Sequence, residues 1–314
     1  PMNQLLLALR AAGESTRLRI LAVLKHSELT VSEITRILDQ SQPRVSRHLK
    51  LLCDSGLLER YQEGAWVFHR VSDRENMREI THGLIDLIDL SDPALERDQK
   101  KLRDIREEKT RQAARYFREH AEEWDSIRGR MVSDSAIEDC MLESVGDRPV
   151  ELFLDLGTGT GRILEIFAPR VRKGIGFDLN REMLSIARSN LENAGINNCT
   201  VRHADINNID MPDGCADVIS IHQVLHYVDN PERSIAESSR LLRPGGRLLV
   251  VDFLPHNLEF LRELHAHQRL GFSPSTMQQW CERSGLQVIH REALSRDVDD
   301  GQSLVAGLWV IEKT

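Results

Sequence analysis

Cysteine is scarce and scattered. The five thiols, Cys53, Cys140, Cys199, Cys215 and Cys281, are odd in number and form no C-x-x-C pair. That argues against a disulfide framework or a structural zinc site and leaves each as a small buried hydrophobe. Aromatic residues make up only 5% of the chain, so any cluster of them carries information. No apolar run reaches the roughly 18 to 20 residues that a membrane helix needs. The opening Leu5-Leu6-Leu7-Ala8-Leu9 runs into charges with no signal-peptide cleavage pattern, so the expectation is a cytoplasmic protein without a membrane partner. Excess positive charge is also missing, since the net charge is −8. What is present is 314 residues, 40% hydrophobic and 29% charged. That is room for about two globular domains at roughly 150 residues each.

The acidic balance is uneven. Residues 1–70 carry 10 Lys and Arg against 7 Asp and Glu, a net of +3, while residues 71–150 and 151–314 have nets of −6 and −5. Affinity for phosphates follows local charge, so a nucleic-acid partner is admissible for the first segment alone.

That segment alternates helical patterns with short breaks. Leu18, Ile20, Leu21 and Leu24 mark one apolar face. Thr30-Val31-Ser32-Glu33 reads as a capping box opening a helix that carries Ile34, Ile37 and Leu38. After the turn Asp39-Gln40-Ser41, a second helix begins near Gln42 with Ser41 as N-cap and Pro43 in its first turn, and Gly56 stops it. At 100° per residue, Val45, Leu49 and Leu52 share one face, whereas Arg44, Ser46, Arg47 and Lys50 point the other way. Leu57 to Tyr61 and Ala65 to His69 flank Gln62-Glu63-Gly64 as a hairpin. Helix, turn, helix and hairpin make a winged helix-turn-helix, and a short helix with a cationic, hydroxyl-rich face fits a major groove. A solvated surface helix is the bland alternative, disfavoured because turn, cap, wing and local charge agree.

The runs Glu14-Ser15-Thr16-Arg17-Leu18-Arg19-Ile20, Ser41 to Leu52, Gly56-Leu57-Leu58 and Glu63 to Val67 resemble the ArsR/SmtB family of dimeric bacterial repressors over about residues 3–72. The resemblance implies a homodimer reading a pseudo-palindromic double-stranded DNA operator, with Ser41, Gln42, Arg44, Ser46, Arg47, His48, Lys50 and Arg60 at the DNA. Where metal-sensing members carry a cysteine pair after Glu-Leu, this chain has Glu28-Leu29-Thr30-Val31-Ser32. The thiolate site is missing, so no metal is expected and an effector must be sensed elsewhere.

Residues 72–146 are helical in pattern and strongly charged. Leu84, Ile85, Leu87 and Ile88 form an apolar patch suited to dimer packing, and Pro93 breaks the run. A long charged helix over 94–128 reads as a connector, with i,i+4 pairs along it. Within it Tyr116, Phe117 and Trp124 stand out, either docking the helix on the next domain or forming a lid over a ligand. The expected organisation is 1–92 for DNA binding and dimerisation, 93–130 for connector and lid, and 131–314 for ligand binding.

From Val150 strands alternate with helices, which predicts a parallel sheet covered on both faces. Asp155-Leu156-Gly157-Thr158-Gly159-Thr160-Gly161 leads from the first strand into a helix near Arg162, and such glycines let backbone approach a ligand closely. Taken alone this is a weak signal. Asp178, 21 residues after Gly157 at the end of the second strand, stands where an acid accepts hydrogen bonds from ribose hydroxyls. Ala204-Asp205-Ile206 and Arg243-Pro244-Gly245-Gly246 follow.

This set resembles the class I S-adenosylmethionine (AdoMet)-dependent methyltransferases of the ubiquinone/menaquinone-biosynthesis type over 110–314. The resemblance implies a Rossmann-like seven-stranded sheet ending in an antiparallel pair, supplied by Gln287 to Leu294 and Leu304 to Ile311. The fold class is thus an α/β domain after a helical, winged-helix domain. It also implies AdoMet or S-adenosylhomocysteine (AdoHcy) as the cofactor. Gly157, Thr158 and Gly159 would lie against its aminocarboxypropyl and ribose portions, Asp178 on the ribose, Asp205 at the adenine amine and Ile206 on the ring. Asp155, Gly161, Leu179, Tyr116 and His222 complete the expected set. A dinucleotide dehydrogenase is the alternative for the glycine loop alone, disfavoured by the two further motifs.

His226, four residues after His222, is expected to face a substrate pocket, whereas His256, His265 and His267 match no zinc spacing and read as solvated or capping residues. Two functions follow from different classes. One is a transcriptional regulator, most simply a repressor, whose methyltransferase-like domain senses AdoHcy or AdoMet. Its architecture resembles AdoHcy-responsive regulators of the methionine and AdoMet cycle. The other is an active small-molecule methyltransferase with a DNA-binding appendage. Methyl transfer from a sulfonium needs mainly alignment, so no catalytic residue is assigned. Tyr116, Phe117, Trp124, His222 and His226 are the candidates for the wall that meets the methyl group.

Overall fold

Local capping sets up the helix-turn-helix. The computed structural model describes residues 2–314 except 26, 64, 73, 90, 121–133, 147 and 296–303, and it divides into two units, Pro1–Lys109 and Thr110–Thr314. Trp124 and the hairpin residue Gly64 lie outside the described residues. In the first unit α1 (Met2–Ala12) and α2 (Ser15–Leu24) precede the short strand β1 (Leu29–Thr30) and α3 (Val31–Leu38). The capping box forms as read: the Glu33 amide donates to Thr30 Oγ1 at 3.4 Å and the Thr30 amide to Glu33 Oε2 at 2.8 Å. Asp39 takes a left-handed φ of 56° and turns the chain into α4 (Gln42–Asp54). Ser41 holds the N-cap position of α4 without a side-chain cap bond.

The wing is β2 (Leu58–Glu63) antiparallel to β3 (Trp66–Val71), with β1 pairing on the other edge of β3. Ile20, Leu21, Ile34, Ile37, Val45, Leu49 and Leu52 form the core, and α5 (Glu75–Asp86) adds Met77 and Ile85. The next helix, α6 (Pro93–His120), opens on Pro93, where the missing amide proton is harmless. Its first half belongs to this unit: Leu102 and Ile105 enter the core, and Asp98, 1% exposed, takes Arg19 at 2.6 and 2.7 Å. Arg19 also donates to the Leu38 carbonyl at 3.0 Å, so one guanidinium ties α2, α3 and α6 together.

In the second unit the last turns of α6 are followed by α7 (Asp134–Val145) and then by alternating β and α elements. The strands are β4 (Val150–Leu156), β5 (Val171–Asp178), β6 (Cys199–His203), β7 (Ala216–His222), β8 (Leu242–Phe253), β9 (Leu286–Ser295) and β10 (Val305–Lys313). The helices are α8 (Arg162–Phe167), α9 (Arg181–Asn193), α10 (Pro231–Leu241), α11 (Phe260–His265) and α12 (Pro274–Arg283). The sheet order is β6-β5-β4-β7-β8-β10-β9, parallel except for β10, which runs antiparallel to both neighbours. This is the expected seven-stranded sheet with its antiparallel finish.

Alternate side chains go to opposite faces. Phe153, Leu249 and Val251 pack under α7, α8 and α9, whereas Leu154, Leu248 and Val250 pack under α10 and α12. The ring of Phe153 stacks on Phe167 at 4.5 Å. Of the cysteines only Cys199 and Cys281 are buried, and Cys53, Cys140 and Cys215 are half-buried. Small side chains at the margins of a core need not be fully covered, which is why composition misjudged these three. Among the described residues, no helix is long and apolar enough to cross a membrane.

Candidate ligand-binding and DNA-binding sites

Four parallel strands deliver their carboxyl ends to one cleft, where open α/β sheets bind ligands. After β4 the chain turns through Gly157 at φ +78°. A Cβ there would strike Val224 of the loop after β7, so only glycine admits that packing. The Gly159 amide donates to Asp178 Oδ2 at 2.9 Å and the Asn180 amide to Asp178 Oδ1 at 2.8 Å. Each carboxylate oxygen has lone pairs to spare for a ligand hydroxyl. Burial pushes the Asp178 carboxyl above its ordinary pKa, and the amides of Asn180, Gly159 and Leu179 pull the other way. Asp155, 1% exposed, accepts from the Ser220 hydroxyl at 2.6 Å.

Of the residues expected at a ligand, Asp155, Gly157, Thr158, Gly159, Asp178, Leu179, Asp205, Ile206 and His222 line this cleft together. Two do not. Gly161 (φ +86°) opens α8 and packs on α9, where a Cβ would come within 3.1 Å of Ala187 Cβ. Tyr116 instead shares a hydrogen bond of 2.6 Å with His265 Nδ1, and its neighbour Phe117 lines the cleft against Tyr227 at 4.7 Å. Burial pushes the Tyr116 phenol up to about 12. Asn180, Met183, Gln223 and Tyr227 also line the cleft and were missed by the sequence reading. Asn180 had a local signal, since it caps α9 by accepting from the Met183 amide at 3.0 Å. The charged side chains described along the wall are Asp155, Asp178, Asp205 and Asp229, with no Lys or Arg among the described lining residues.

His226 does not face the cleft. It is 1% exposed, with Nδ1 at 2.7 Å from Asp252 Oδ1 and its ring against His267 at 4.2 Å. The expected helical turn after His222 does not form. Gln223 takes φ +54°, and Leu225–Tyr227 is a 3-10 turn that points His226 inward. His267, read as solvated or capping, is 3% exposed, and burial pushes its pKa far down. Among the described residues, no group of three or more His, Cys, Asp or Glu is arranged to hold a metal ion.

On the first unit, Ser41 at the N-cap of α4, Gln42, Arg44, Ser46, Arg47 and Lys50 within α4 and Arg60 of β2 are exposed. None of these four cations makes an ion pair among the described residues. His48 departs from the group. Its ring is half-buried, with Nδ1 at 3.7 Å from Glu14. Burial lowers its pKa, Glu14 opposing and Arg17 and Arg44 adding to the effect. Near the absent thiolate site, Glu28 accepts from the Tyr61 hydroxyl at 2.6 Å and lies 3.5 Å from Arg70. That carboxylate anchors the wing.

A winged helix-turn-helix unit joined to a seven-stranded methyltransferase-type sheet is the class these features define. Residues 14–60 match the bacterial regulatory proteins of the arsR family and residues 154–250 match the methyltransferase domain, so the chain carries both domain types. It is 35% identical over 128 residues to the ubiquinone/menaquinone biosynthesis C-methyltransferase UbiE of Vibrio cholerae, covering 40% of this chain and 49% of that one. It is 27% identical over 139 residues to the uncharacterized methyltransferase YcgJ of Bacillus subtilis, covering 44% and 55% respectively. The chain therefore spans about half the length of these curated relatives. A geranyl diphosphate methyltransferase solved in complex with SAM shares the fold, with a TM-score of 0.50 at 18% identity over 58% of this chain and 86% of that one.

Proposed function

We propose that the protein is a DNA-binding regulator whose methyltransferase-type domain binds AdoMet or AdoHcy as an effector. The residues of the cleft fit such a molecule. Asp178 is set for the ribose, and Asp205 and Ile206 for the adenine. A wall whose described charged residues are carboxylates, with no Lys or Arg among them, suits a ligand bearing an ammonium or sulfonium and disfavours the pyrophosphate of a dinucleotide. When bound, AdoMet supplies an electrophilic methyl group. The chain's own residues orient the nucleoside and shield it from water.

The observation that carries the regulatory reading is that one chain holds both kinds of site: α4 exposes Arg44, Arg47 and Lys50 with no ion pair among the described residues, and the second unit holds the ligand cleft. In a homodimer, ligand binding changes the fit of two recognition helices to half-sites one DNA turn apart. Moving such an equilibrium from 99:1 to 1:99 requires about 5.5 kcal/mol of differential affinity, which two ligand sites per dimer reach more easily than one. The exposed Leu5, Leu6, Leu7 and Leu9 of α1 and Leu87 after α5 support the dimer as the surface a second copy would cover. Regulation of methionine or AdoMet-cycle genes, as a repressor, completes the reading.

A gel-shift titration on DNA upstream of the gene at fixed salt, with AdoHcy and AdoMet added separately, tests this. A change in DNA affinity with either ligand is the expected result, and release by AdoHcy alone would make AdoHcy the effector. Indifference to both would overturn the reading and favour the second one, an active methyltransferase with a localising DNA domain, which the methyltransferases among its relatives support. Arg44→Ala and Arg47→Ala should each weaken operator binding about tenfold and lower the slope of log affinity against log salt by about 1. Ligand affinity, measured by calorimetry, should stay the same. An unchanged operator affinity would remove that arginine from the DNA face.

A further inference from the structure

We propose that Gln223 reads the α-amino-acid head group of the ligand, separating AdoMet and AdoHcy from nucleosides that lack it. The inference rests on the cleft being an AdoMet or AdoHcy site. The lining residues run along the carboxyl edge of the sheet: Asp205 and Ile206 after β6, Asp178 at β5, Gly157 and Gly159 after β4, and His222 and Gln223 at β7. Neighbouring strands lie about 4.8 Å apart, so three steps span roughly 14 Å, the length of a nucleoside extended by an amino-acid chain. With ribose and adenine at β5 and β6, the amino-acid end falls at β4 and β7.

Gln223 is built there at two costs. Its backbone holds a left-handed φ of +54°, a region that glycine favours, fixed by its amide donating to the Val251 carbonyl at 2.7 Å. The side chain is 5% exposed, and its Nε2 is buried with no hydrogen-bond partner. A strained backbone and an unsatisfied buried amide on one residue of a cleft wall mark a place shaped for a ligand. The head group is a zwitterion, with three ammonium donors and a carboxylate acceptor. A primary amide offers both an acceptor and a donor, so either rotation of the glutamine side chain presents a complement. The described wall has no Lys or Arg for the carboxylate, which leaves that task to neutral donors.

Equilibrium binding of AdoHcy and of 5′-methylthioadenosine to the full chain tests this, because the second ligand keeps the nucleoside and sulfur and lacks the head group. Gln223→Gly removes the amide and accepts the left-handed backbone. It should weaken AdoHcy about tenfold or more while changing methylthioadenosine less than about twofold. Gln223→Asn tolerates the same backbone and withdraws the amide by one methylene, and it should give the same split should the glycine variant not fold. Equal weakening of both ligands would mean a structural role, and no weakening of AdoHcy would mean no contact. Either overturns the inference while leaving the site reading intact. Wild-type protein that binds neither ligand overturns both.

Discussion

Asp178→Ala is expected to lower the affinity for AdoHcy by about 100-fold or more, because in the proposed site its carboxylate accepts from two ribose hydroxyls, at about 1.5 to 3 kcal/mol per hydrogen bond. The loss has a second source within the protein. Asp178 accepts from the amides of Gly159 and Asn180, so its removal also loosens the glycine loop and the entry to α9. Asp178→Asn keeps the volume but turns an NH2 group toward one of those amides, so it should fare little better. Calorimetric titration measures the loss. Operator affinity without ligand should not change, since Asp178 lies outside the helix-turn-helix unit. A variant that still responds to ligand on DNA would take Asp178 out of the site.

The second large effect is on pH dependence. His256 is pushed down to about 4, first by burial and then by His226, with Arg262 adding and Asp252 opposing. His267 is pushed down further by burial and by His226, His256, His265 and Arg262. The His256 Nδ1 accepts from the Leu258 amide at 3.3 Å, a bond that protonation removes. Each folded-state pKa lies below the ordinary value of 6.5, so the unfolded chain binds more protons in this window. The stability of residues 110–314 is therefore complete above about pH 6.5 and falls as pH drops toward 4. Discounted for the solvent screening of a half-buried ring, His256 accounts for at most about 2 kcal/mol by pH 4.5, and His267 acts in the same direction. Denaturant titrations at pH 7.5 and 4.5, followed by near-ultraviolet circular dichroism, should show that loss, and His256→Gln should reduce it. Equal stability at both pH values would mean these rings are hydrated.

Where the fold and the cleft were legible in the chain, the signal was local. The capping box at Thr30, the amphipathic α4 and the glycine turn before α8 each depend on residues a few positions apart, so pattern and geometry agree. Asp178 was legible because the strand and helix between it and Gly157 have a standard length. His226 was not. Counting four residues from His222 assumed a helix, whereas the chain spends one residue on a left-handed turn and three on a 3-10 turn. The His256 and His267 pair escaped for a related reason. The segments around them are largely irregular, and no period marks which side chains fold inward. Tyr116 and Phe117 were picked out together, but only docking decides which of two adjacent rings on a helix meets the cleft.

The pair formed by Arg19 and Asp98 sets where the DNA-binding unit ends. Its guanidinium joins α2 and α3 to a helix that begins twenty-two residues after the wing closes, and Leu102 and Ile105 of that helix sit in the same core. A fragment cut just after β3 would leave Arg19 without its carboxylate and open one side of the core. The smallest piece able to stand alone as this unit therefore runs to about Lys109, well past the last residue of the winged motif.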